Sequence, residues 1–321
     1  MKYICTYFNK AFLSRGERLI ASLDQFSDDY TLYILAMDES TYKHLQKMNH
    51  KSIRLISFED YVNQSLVDQS KFKSEKERLY TITPGLCLYL IQNFSEIDLL
   101  VYLDADVCIY NDINILYNEI GSSSISMCDH RLPWFTKPFS NHYGHYNVGI
   151  NSFRNDDIGM ECLHDWYQQC VTWEEDQPGY PLPWFSDQIW LDSWPAKYDR
   201  LKVITHKGIN VAPWNAINYN FSKLDGQYMV DNVPLVIFHF SALEKINSST
   251  WICSSKQLFI NVSGVLKEIY YDYIQSIEGQ ELPSQSQDPY KANNFKLLLY
   301  KLGRIFFKNK IDVSVNYELK K

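Results

Sequence analysis

The sequence predicts an α/β protein with a central mixed, mostly parallel sheet, helices on its flanks and a C-terminal helical tail. Apolar runs alternate with helical patterns over the first 60 residues, which is typical of doubly wound sheets. A later run, 99–103, has five apolar residues in succession and indicates a strand buried on both faces. Two carboxylates follow this run at once, at the strand end where open α/β sheets bind ligands.

The predicted elements follow from these patterns in chain order. The first half contains strands 3–8, 31–36, 53–56 and 99–103, with helices ending near residue 23 and spanning 39–48 and 83–92. The second half contains strands 123–127, 146–153, 201–204 and 235–240, helices 159–173 and 255–277, and a short helix that starts at residue 186. In the first helix, Arg15, Glu17 and Arg18 are expected to be exposed.

Composition and charge restrict the class of protein. A formal charge of -7 argues against a nucleic-acid-binding protein. Seven cysteines without a C-x-x-C pair fit core residues in a reducing compartment. The chain enters a strand directly after Met1 and has no apolar run of the roughly 18 residues that cross a bilayer. We therefore expect a cytoplasmic protein.

The carboxylates after the apolar run are Asp104 and Asp106, separated by Ala105. On an extended chain, side chains two residues apart point the same way. Such a pair of oxygen ligands suits Mg²⁺ or Mn²⁺ with phosphate oxygens in the remaining positions. The alternative is an acidic turn after a buried strand.

The C-terminal region differs from the rest of the chain. Residues 279–289 are typical of a linker. Residues 291–310 contain six basic and no acidic residues among apolar ones. This basic amphipathic tail fits an anionic membrane surface, at the inner face of the cell membrane. The alternative is packing on the protein's own acidic surface.

Five blocks in a fixed order carry a resemblance to a known family. They are 102–106 (YLDAD), 146–150 (YNVGI), 185–188 (FSDQ), 213–215 (PWN) and 237–240 (IFHF). Together they resemble the GT-A glycosyltransferases of family 8, which are retaining, metal-dependent nucleotide-diphospho-sugar transferases. The resemblance implies a GT-A catalytic domain at 1–250, with a nucleotide-binding half at 1–110 and an acceptor-binding half at 111–250. A helical cap at 251–278 and the linker with its tail at 279–321 follow.

The resemblance also implies a metal site. Asp104 and Asp106 would bind Mn²⁺ or Mg²⁺, and His239 would be the third protein ligand. The alternative for His239 is a histidine satisfied within the core. The family often has glycine two residues after this histidine, whereas this chain has Ser241 and Ala242, so the backbone there is expected to differ.

The remaining site residues are matched to the family's motifs. Those implied to contact the nucleotide-sugar, with UDP as the expected nucleotide, are Thr6, Tyr7, Asn9, Arg78, Asp104, Ala105, Asp106 and Asn147. Tyr7 would stack on uracil, or it is an ordinary aromatic residue at a strand end. Arg78 would face the diphosphate, or it lies on a solvated helix face. The catalytic pair would be Asp187, which accepts hydrogen bonds from sugar hydroxyls, and Gln188, near the anomeric carbon. A helix N-cap at 186–187 is the alternative role.

The predicted function is hexose transfer from a nucleotide-diphospho-sugar to a glycan or lipid-linked acceptor, such as lipopolysaccharide or another bacterial surface polysaccharide. Aromatic residues at 130–146 and 173–194 would line the acceptor cleft. Retention of configuration is implied by the family. One alternative is a glycan-binding module without catalysis. Another is a haloacid-dehalogenase-type phosphatase, whose motif usually lies near the N-terminus.

Overall fold

The computed structural model describes residues 1–64, 75–136, 144–172, 187–255, 260–278 and 310–312, without the side chains of residues 64, 75–78 and 312. These residues form two compact units. The first unit comprises Met1–Leu13, Ser27–Ala105 and Ile113–His206, and the second comprises Ser14–Phe26, Asp106–Asp112 and the described part of Lys207–Lys321.

The helices and strands are named in chain order. The helices are α1 (Leu13–Phe26), α2 (Glu39–Met48), α3 (Phe58–Gln64), α4 (Glu75–Asn93), α5 (Asn114–Ile120), α6 (Asp157–Thr172), α7 (Trp194–Lys197) and α8 (Gly264–Ile277). The strands are β1 (Lys2–Phe8), β2 (Tyr30–Ala36), β3 (Ile53–Ser57), β4 (Leu99–Leu103), β5 (Val107–Ile109), β6 (Ile125–Asp129), β7 (Tyr146–Arg154), β8 (Leu201–Ile204), β9 (Phe221–Leu224), β10 (Gln227–Val230), β11 (Val233–Pro234), β12 (Ile237–His239), β13 (Glu244–Lys245), β14 (Thr250–Ile252) and β15 (Lys310–Asp312). Short 3-10 helices occur at Lys10–Phe12, Ile189–Ser193 and Ala216–Asn218.

The first unit is built on a seven-stranded sheet in the order β3-β2-β1-β4-β7-β6-β8. Four of its pairings are parallel, and β7 runs antiparallel to both β4 and β6. The central strand β4 is buried along its whole length, as its continuous apolar run predicts. The prediction of a mixed, mostly parallel α/β sheet is therefore confirmed.

Aromatic side chains fill the core of the first unit beside β7. Phe153 stacks on Trp166 of α6 with ring centroids 5.9 Å apart, and Trp194 meets both rings edge-on. Helix α4 packs against α6. A side chain at Gly85 of α4 would not fit, because its Cβ would collide with the Tyr61 hydroxyl. Trp166 and Trp194 are therefore packing residues of this core.

The second unit has its own core between short strands and α8. Strand β12 pairs antiparallel with β5, and β9, β10 and β11 form a meander. Phe240 stacks on Tyr273 of α8 at 3.7 Å between ring centroids, and Phe238 contacts Tyr270. This packing fixes the chain on both sides of His239.

Several predicted elements are corrected by the structure. Helix α4 begins at Glu75 rather than residue 83, and α8 begins at Gly264 rather than 255. The strand predicted over 235–240 is shorter and covers only Ile237–His239, and a separate two-residue strand, Val233–Pro234, precedes it. The short helix predicted from residue 186 is a 3-10 helix that starts at Ile189.

Charge placement in α1 also differs from the prediction. Arg15 is buried and not exposed, whereas Glu17 and Arg18 are half-buried. The Arg15 guanidinium is satisfied inside the second unit, because it donates a hydrogen bond to the Leu243 carbonyl at 2.9 Å. All seven cysteines are buried free thiols, as expected for core residues.

The predicted linker and basic tail lie outside the described residues, apart from the strand at Lys310–Asp312. The domain boundaries drawn from the sequence remain a prediction. Among the helices of the described ranges, none combines the length and the apolar character needed to cross a membrane.

Candidate active site

The two carboxylates after β4 lie in a turn and not on an extended chain. Strand β4 ends at Leu103, residues 104–106 form the turn, and β5 begins at Val107. The Asp104 amide donates to the Gly149 carbonyl at 3.0 Å, which ties the start of the turn to β7. Asp104 and Asp106 were expected to point the same way on an extended chain; the extended conformation is wrong, because the chain leaves strand β4 at Leu103 and turns before β5.

Asp106 and His239 are joined by strand pairing in the second unit. In the β5–β12 pair, His239 lies opposite Val107, next to Asp106, and the Phe240 amide donates to the Asp106 carbonyl at 2.9 Å. This register brings His239 Nε2 to 3.1 Å from Asp106 Oδ1, with both side chains largely buried. The His239 ring also meets the Trp214 ring edge-on, with centroids 5.2 Å apart.

The electrostatics of Asp106 favour its charged form. Burial alone would raise the pKa of this carboxyl, but attraction and hydrogen bonding from His239, together with the charge of Arg15, lower the pKa below its ordinary value. Neighbouring positive charge of this kind favours the ionised form. Asp106 is thus held as a carboxylate, the form that binds a cation. The sequence analysis did not predict this role of Arg15, because the helical pattern placed its side chain in solvent.

Asp104, Asp106 and His239 together meet the requirements for a metal ion. Each offers one ligand atom, and these atoms lie within 4.8 Å of one another. Two carboxylate oxygens and one imidazole nitrogen form a donor set that suits Mn²⁺ and is compatible with Mg²⁺. The residues therefore fit the divalent cation that the resemblance implies. Ala105, between the two carboxylates, is buried.

A bulge in β7 brings Asn147 to Gln188 in the first unit. Met127 pairs with Asn151, but its neighbour Cys128 pairs with Asn147, so residues 148–150 bulge out of the β6 ladder. Bulges of this type re-aim side chains near functional sites. Here the Gln188 Oε1 accepts from Asn147 Nδ2 at 3.2 Å and from the Val148 amide at 3.3 Å.

Asp187 lies beside this pair with an unusual protonation equilibrium. Burial first, and the charge of Asp104 second, raise the pKa of Asp187 to about 7. The Trp166 indole donates to the Asp187 carbonyl at 2.9 Å, which ties the turn to α6. No side-chain cap is found for the 3-10 helix at Ile189–Ser193 within the described residues, and Ser186 lies outside them. Unusual carboxyl pKa values of this kind are typical of functional sites.

The residues at the end of β1 have three different environments. Thr6 is fully buried, and its hydroxyl has no hydrogen-bond partner within the described residues. The Tyr7 hydroxyl lies 3.3 Å from the Thr83 hydroxyl, and burial raises the Tyr7 pKa. Asn9 is exposed and caps the 3-10 helix by accepting from the Ala11 amide at 3.0 Å.

Arg78 belongs to α4, but its side chain lies outside the described part of the structure.

Ala242, three residues after His239, has a backbone conformation that favours glycine. Ala242 has a φ of 58°, in the left-handed region that glycine occupies without steric cost. The Ser255 amide donates to the Ala242 carbonyl at 2.8 Å and stabilises this turn. The expected difference from the family's backbone at Ser241 and Ala242 stays a prediction.

Comparisons with known proteins agree with this arrangement. The model for glycosyl transferase family 8 matches residues 4–183. Two uncharacterized proteins of Bacillus subtilis (strain 168) are similar in sequence. YfnF is 30% identical over 244 residues, which cover 74% of this chain and 80% of YfnF. YfnD is 23% identical over 294 residues, which cover 91% of this chain and 94% of YfnD.

A solved structure is similar to the whole fold. The bifunctional glycosyltransferase WbbM superposes with a TM-score of 0.52 and 12% identity, over 94% of this chain and 51% of WbbM. The chain thus spans about half the length of WbbM, and this likeness concerns the fold alone. From the family match and the relationship to YfnF, we conclude that the chain belongs to glycosyltransferase family 8 and has the GT-A fold.

Proposed function

We propose that this protein transfers a hexose from a UDP-sugar to a hydroxyl group of a glycan, with retention of configuration at the anomeric carbon. The observation that carries the proposal is the convergence of ligand atoms from Asp104, Asp106 and His239 within 4.8 Å, directly after the central strand of the sheet. Family membership supplies the reaction class, glycosyl transfer.

Asp104, Asp106 and His239 would hold Mn²⁺ or Mg²⁺ in this proposal. When bound, the cation supplies Lewis-acid stabilisation of the negative charge on the departing diphosphate. His239 and Arg15 favour the ionised state of Asp106, which is the state that binds a cation. Removal of the metal should therefore abolish donor cleavage.

Asp187 and Gln188 would act on the donor sugar. Asp187 would accept hydrogen bonds from sugar hydroxyls, and its charge would help stabilise the oxocarbenium-like transition state. The Gln188 side-chain oxygen is oriented by Asn147 and by the Val148 amide, so its position near the anomeric carbon would be fixed before the donor binds. Pre-organised polar groups of this kind lower the barrier because they need no rearrangement during the reaction.

The nucleotide would bind at the end of β1. Tyr7 would stack on uracil, with Thr6, Asn9 and Asn147 as polar contacts and Arg78 facing the diphosphate. The fully buried Thr6 hydroxyl supports this assignment, since a buried hydroxyl usually has a hydrogen-bond partner. The proposed boundaries keep this half at 1–110 and the acceptor-binding half at 111–250.

The acceptor would be a bacterial surface polysaccharide or lipopolysaccharide, bound by aromatic residues of the second half. Trp134 supports this proposal, because 82% of its surface is exposed and its ring meets Phe135 edge-on. An exposed indole of this kind is suited to stacking on a sugar ring. The basic tail at 291–310 would hold the enzyme at the inner face of the membrane, near a lipid-linked acceptor.

A donor panel tests the proposed function. Purified protein would be incubated with UDP-, GDP- and dTDP-sugars in Mn²⁺, in Mg²⁺ and in EDTA, and nucleotide release would be measured for wild type, Asp106→Ala and the exposed control Asp28→Ala. Metal-dependent UDP release from one donor, lost in Asp106→Ala only, is the expected result. Binding of glycans on an array without cleavage of any donor would instead favour the non-catalytic glycan-binding module.

A further inference from the structure

Tyr102 is the one hydroxyl-bearing residue in the otherwise aliphatic strand β4, Leu99–Leu103. Its side chain is 2% exposed. Its hydroxyl donates a hydrogen bond of 2.7 Å to Asp104 Oδ1, two residues further along the chain. Because side chains two residues apart are about 7 Å apart along a strand, the long tyrosine ring reaches across Leu103 to the turn.

The bond has a fixed direction. A carboxylate only accepts, so Tyr102 is the donor. A hydrogen bond from a neutral donor to an ionised acceptor is stronger than one between neutral groups.

The tyrosine ring is itself held in place. The Tyr7 ring lies against it with centroids 6.1 Å apart. Thr83 of α4 lies close enough to both hydroxyls to interact, at 3.3 Å from that of Tyr7. Because the Tyr102 hydroxyl donates its one hydrogen bond to Asp104, it can only accept a hydrogen bond from the Thr83 hydroxyl. Contacts from β1 and α4 therefore fix the hydroxyl that faces Asp104.

We propose that Tyr102 is a positioning residue for the metal site, because its hydroxyl fixes the orientation of the Asp104 carboxylate before the cation binds. This inference rests on the proposed function, in which Asp104 is a metal ligand. Groups that orient a metal ligand typically change metal affinity or activity by about 10- to 100-fold when they are removed. A phenylalanine would suit the apolar core equally well, so the hydroxyl is explained by its partner.

The test measures binding of Mn²⁺ alone, by isothermal titration calorimetry, to full-length wild type, Tyr102→Phe and Tyr33→Phe. Tyr33 is a matched control, because it is also buried in the sheet and donates to a carboxylate, Glu96 Oε1, at 3.2 Å. We expect Tyr102→Phe to weaken Mn²⁺ binding about 10-fold, and Tyr33→Phe to bind like wild type. Thr83→Val, which keeps the Tyr102–Asp104 bond, should give a smaller loss than Tyr102→Phe.

The outcomes separate this inference from the proposed function. If wild type binds no Mn²⁺, the metal site itself is wrong. If wild type binds and Tyr102→Phe binds equally well, the positioning role is wrong while the metal site stands. Equal losses in Tyr102→Phe and Tyr33→Phe, with equal falls in melting temperature in EDTA, would show a general packing effect and would also overturn the inference. If Tyr102→Phe does not fold, weaker Mn²⁺ binding by Thr83→Val than by Tyr33→Phe would support the inference, and equal binding by these two variants would overturn it.

Discussion

His239 Nε2 lies 3.1 Å from Asp106 Oδ1, and the antiparallel pairing of β12 with β5 creates this contact. The two residues are 133 positions apart in sequence, so strand register rather than local sequence brings them together. Both side chains are largely buried. Loss of either partner should therefore affect the stability of the metal-free protein as well as its chemistry.

We expect His239→Ala to abolish metal-dependent donor cleavage and to destabilise the metal-free protein. Loss of a ligand should lower activity by about 100-fold or more, since even groups behind the ligands contribute 10- to 100-fold. Loss of the hydrogen bond to a buried carboxylate should cost about 2 kcal/mol in unfolding free energy. Nucleotide release in Mn²⁺ and urea denaturation in EDTA measure the two effects.

The matched control for this variant is His164→Ala, on the exposed face of α6. It should leave both measurements close to the wild-type values. Full activity of His239→Ala in Mn²⁺ would show that His239 is not a metal ligand. Unchanged stability in EDTA would show that the Asp106 contact contributes little energy.

Gln188→Ala tests the contact that the β7 bulge creates. The variant leaves Asn147 Nδ2 and the Val148 amide without their acceptor, at a cost of about 1 to 3 kcal/mol in unfolding free energy. Donor cleavage should also fall. Asn147→Ala combined with Gln188→Ala should be less destabilising than the sum of the single variants, because the two residues share one hydrogen bond. Additive effects in urea denaturation, with the exposed Gln227→Ala as control, would contradict the coupling.

Local pattern was sufficient to predict the elements that bury a regular face. The apolar run at 99–103 identified β4 because a strand buried on both faces needs no polar residue. The limits of α2 were predicted correctly because Asp38 caps it, accepting from the Thr41 amide. The family resemblance proposed Asp104, Asp106 and His239 as metal ligands, and their ligand atoms lie within 4.8 Å of one another.

Long-range partners account for what the sequence did not predict. The helical pattern of α1 predicts that Arg15 faces solvent. Its guanidinium instead donates a hydrogen bond within the core to the carbonyl of Leu243, which is 228 positions later in the sequence. The apolar content of 255–263 resembles a helix, whereas Gly264 takes a positive φ of 54° and the helix starts only there. The hydrogen bond from Tyr102 to Asp104 was not predicted, because Asp104 lies in the turn after β4 and its side-chain position depends on that turn.

Ala242→Gly should stabilise the protein. Ala242 has a φ of 58°, which is strained for a residue with a Cβ and unstrained for glycine. Relief of this strain outweighs the greater chain entropy of glycine in the unfolded state, so we expect a gain of up to about 1 kcal/mol in unfolding free energy. Urea denaturation measures it. Ala36→Gly, in the buried strand β2, is the control and should have the opposite sign; a loss at both positions would contradict the argument.

Asp187→Asn should raise the stability of the metal-free protein above neutral pH while it abolishes transfer. The folded-state pKa of about 7 exceeds the ordinary value of 3.8. Below pH 4 the carboxyl is protonated in both states and contributes nothing. Between pH 4 and 7 the unfolded state ionises first, so the free energy of unfolding falls as pH rises through this window. An asparagine has no such penalty.

The difference in unfolding free energy between Asp187→Asn and wild type should therefore increase with pH. From pH 5 to pH 8 in EDTA we expect it to grow by about 2 to 3 kcal/mol in favour of the variant. The exposed Asp28→Asn should show no such trend. A difference that stays constant from pH 5 to pH 8 would mean that Asp187 ionises normally in the folded protein. A rising difference together with lost nucleotide release would show that the buried charge beside Asp104 is kept for the reaction at the expense of stability.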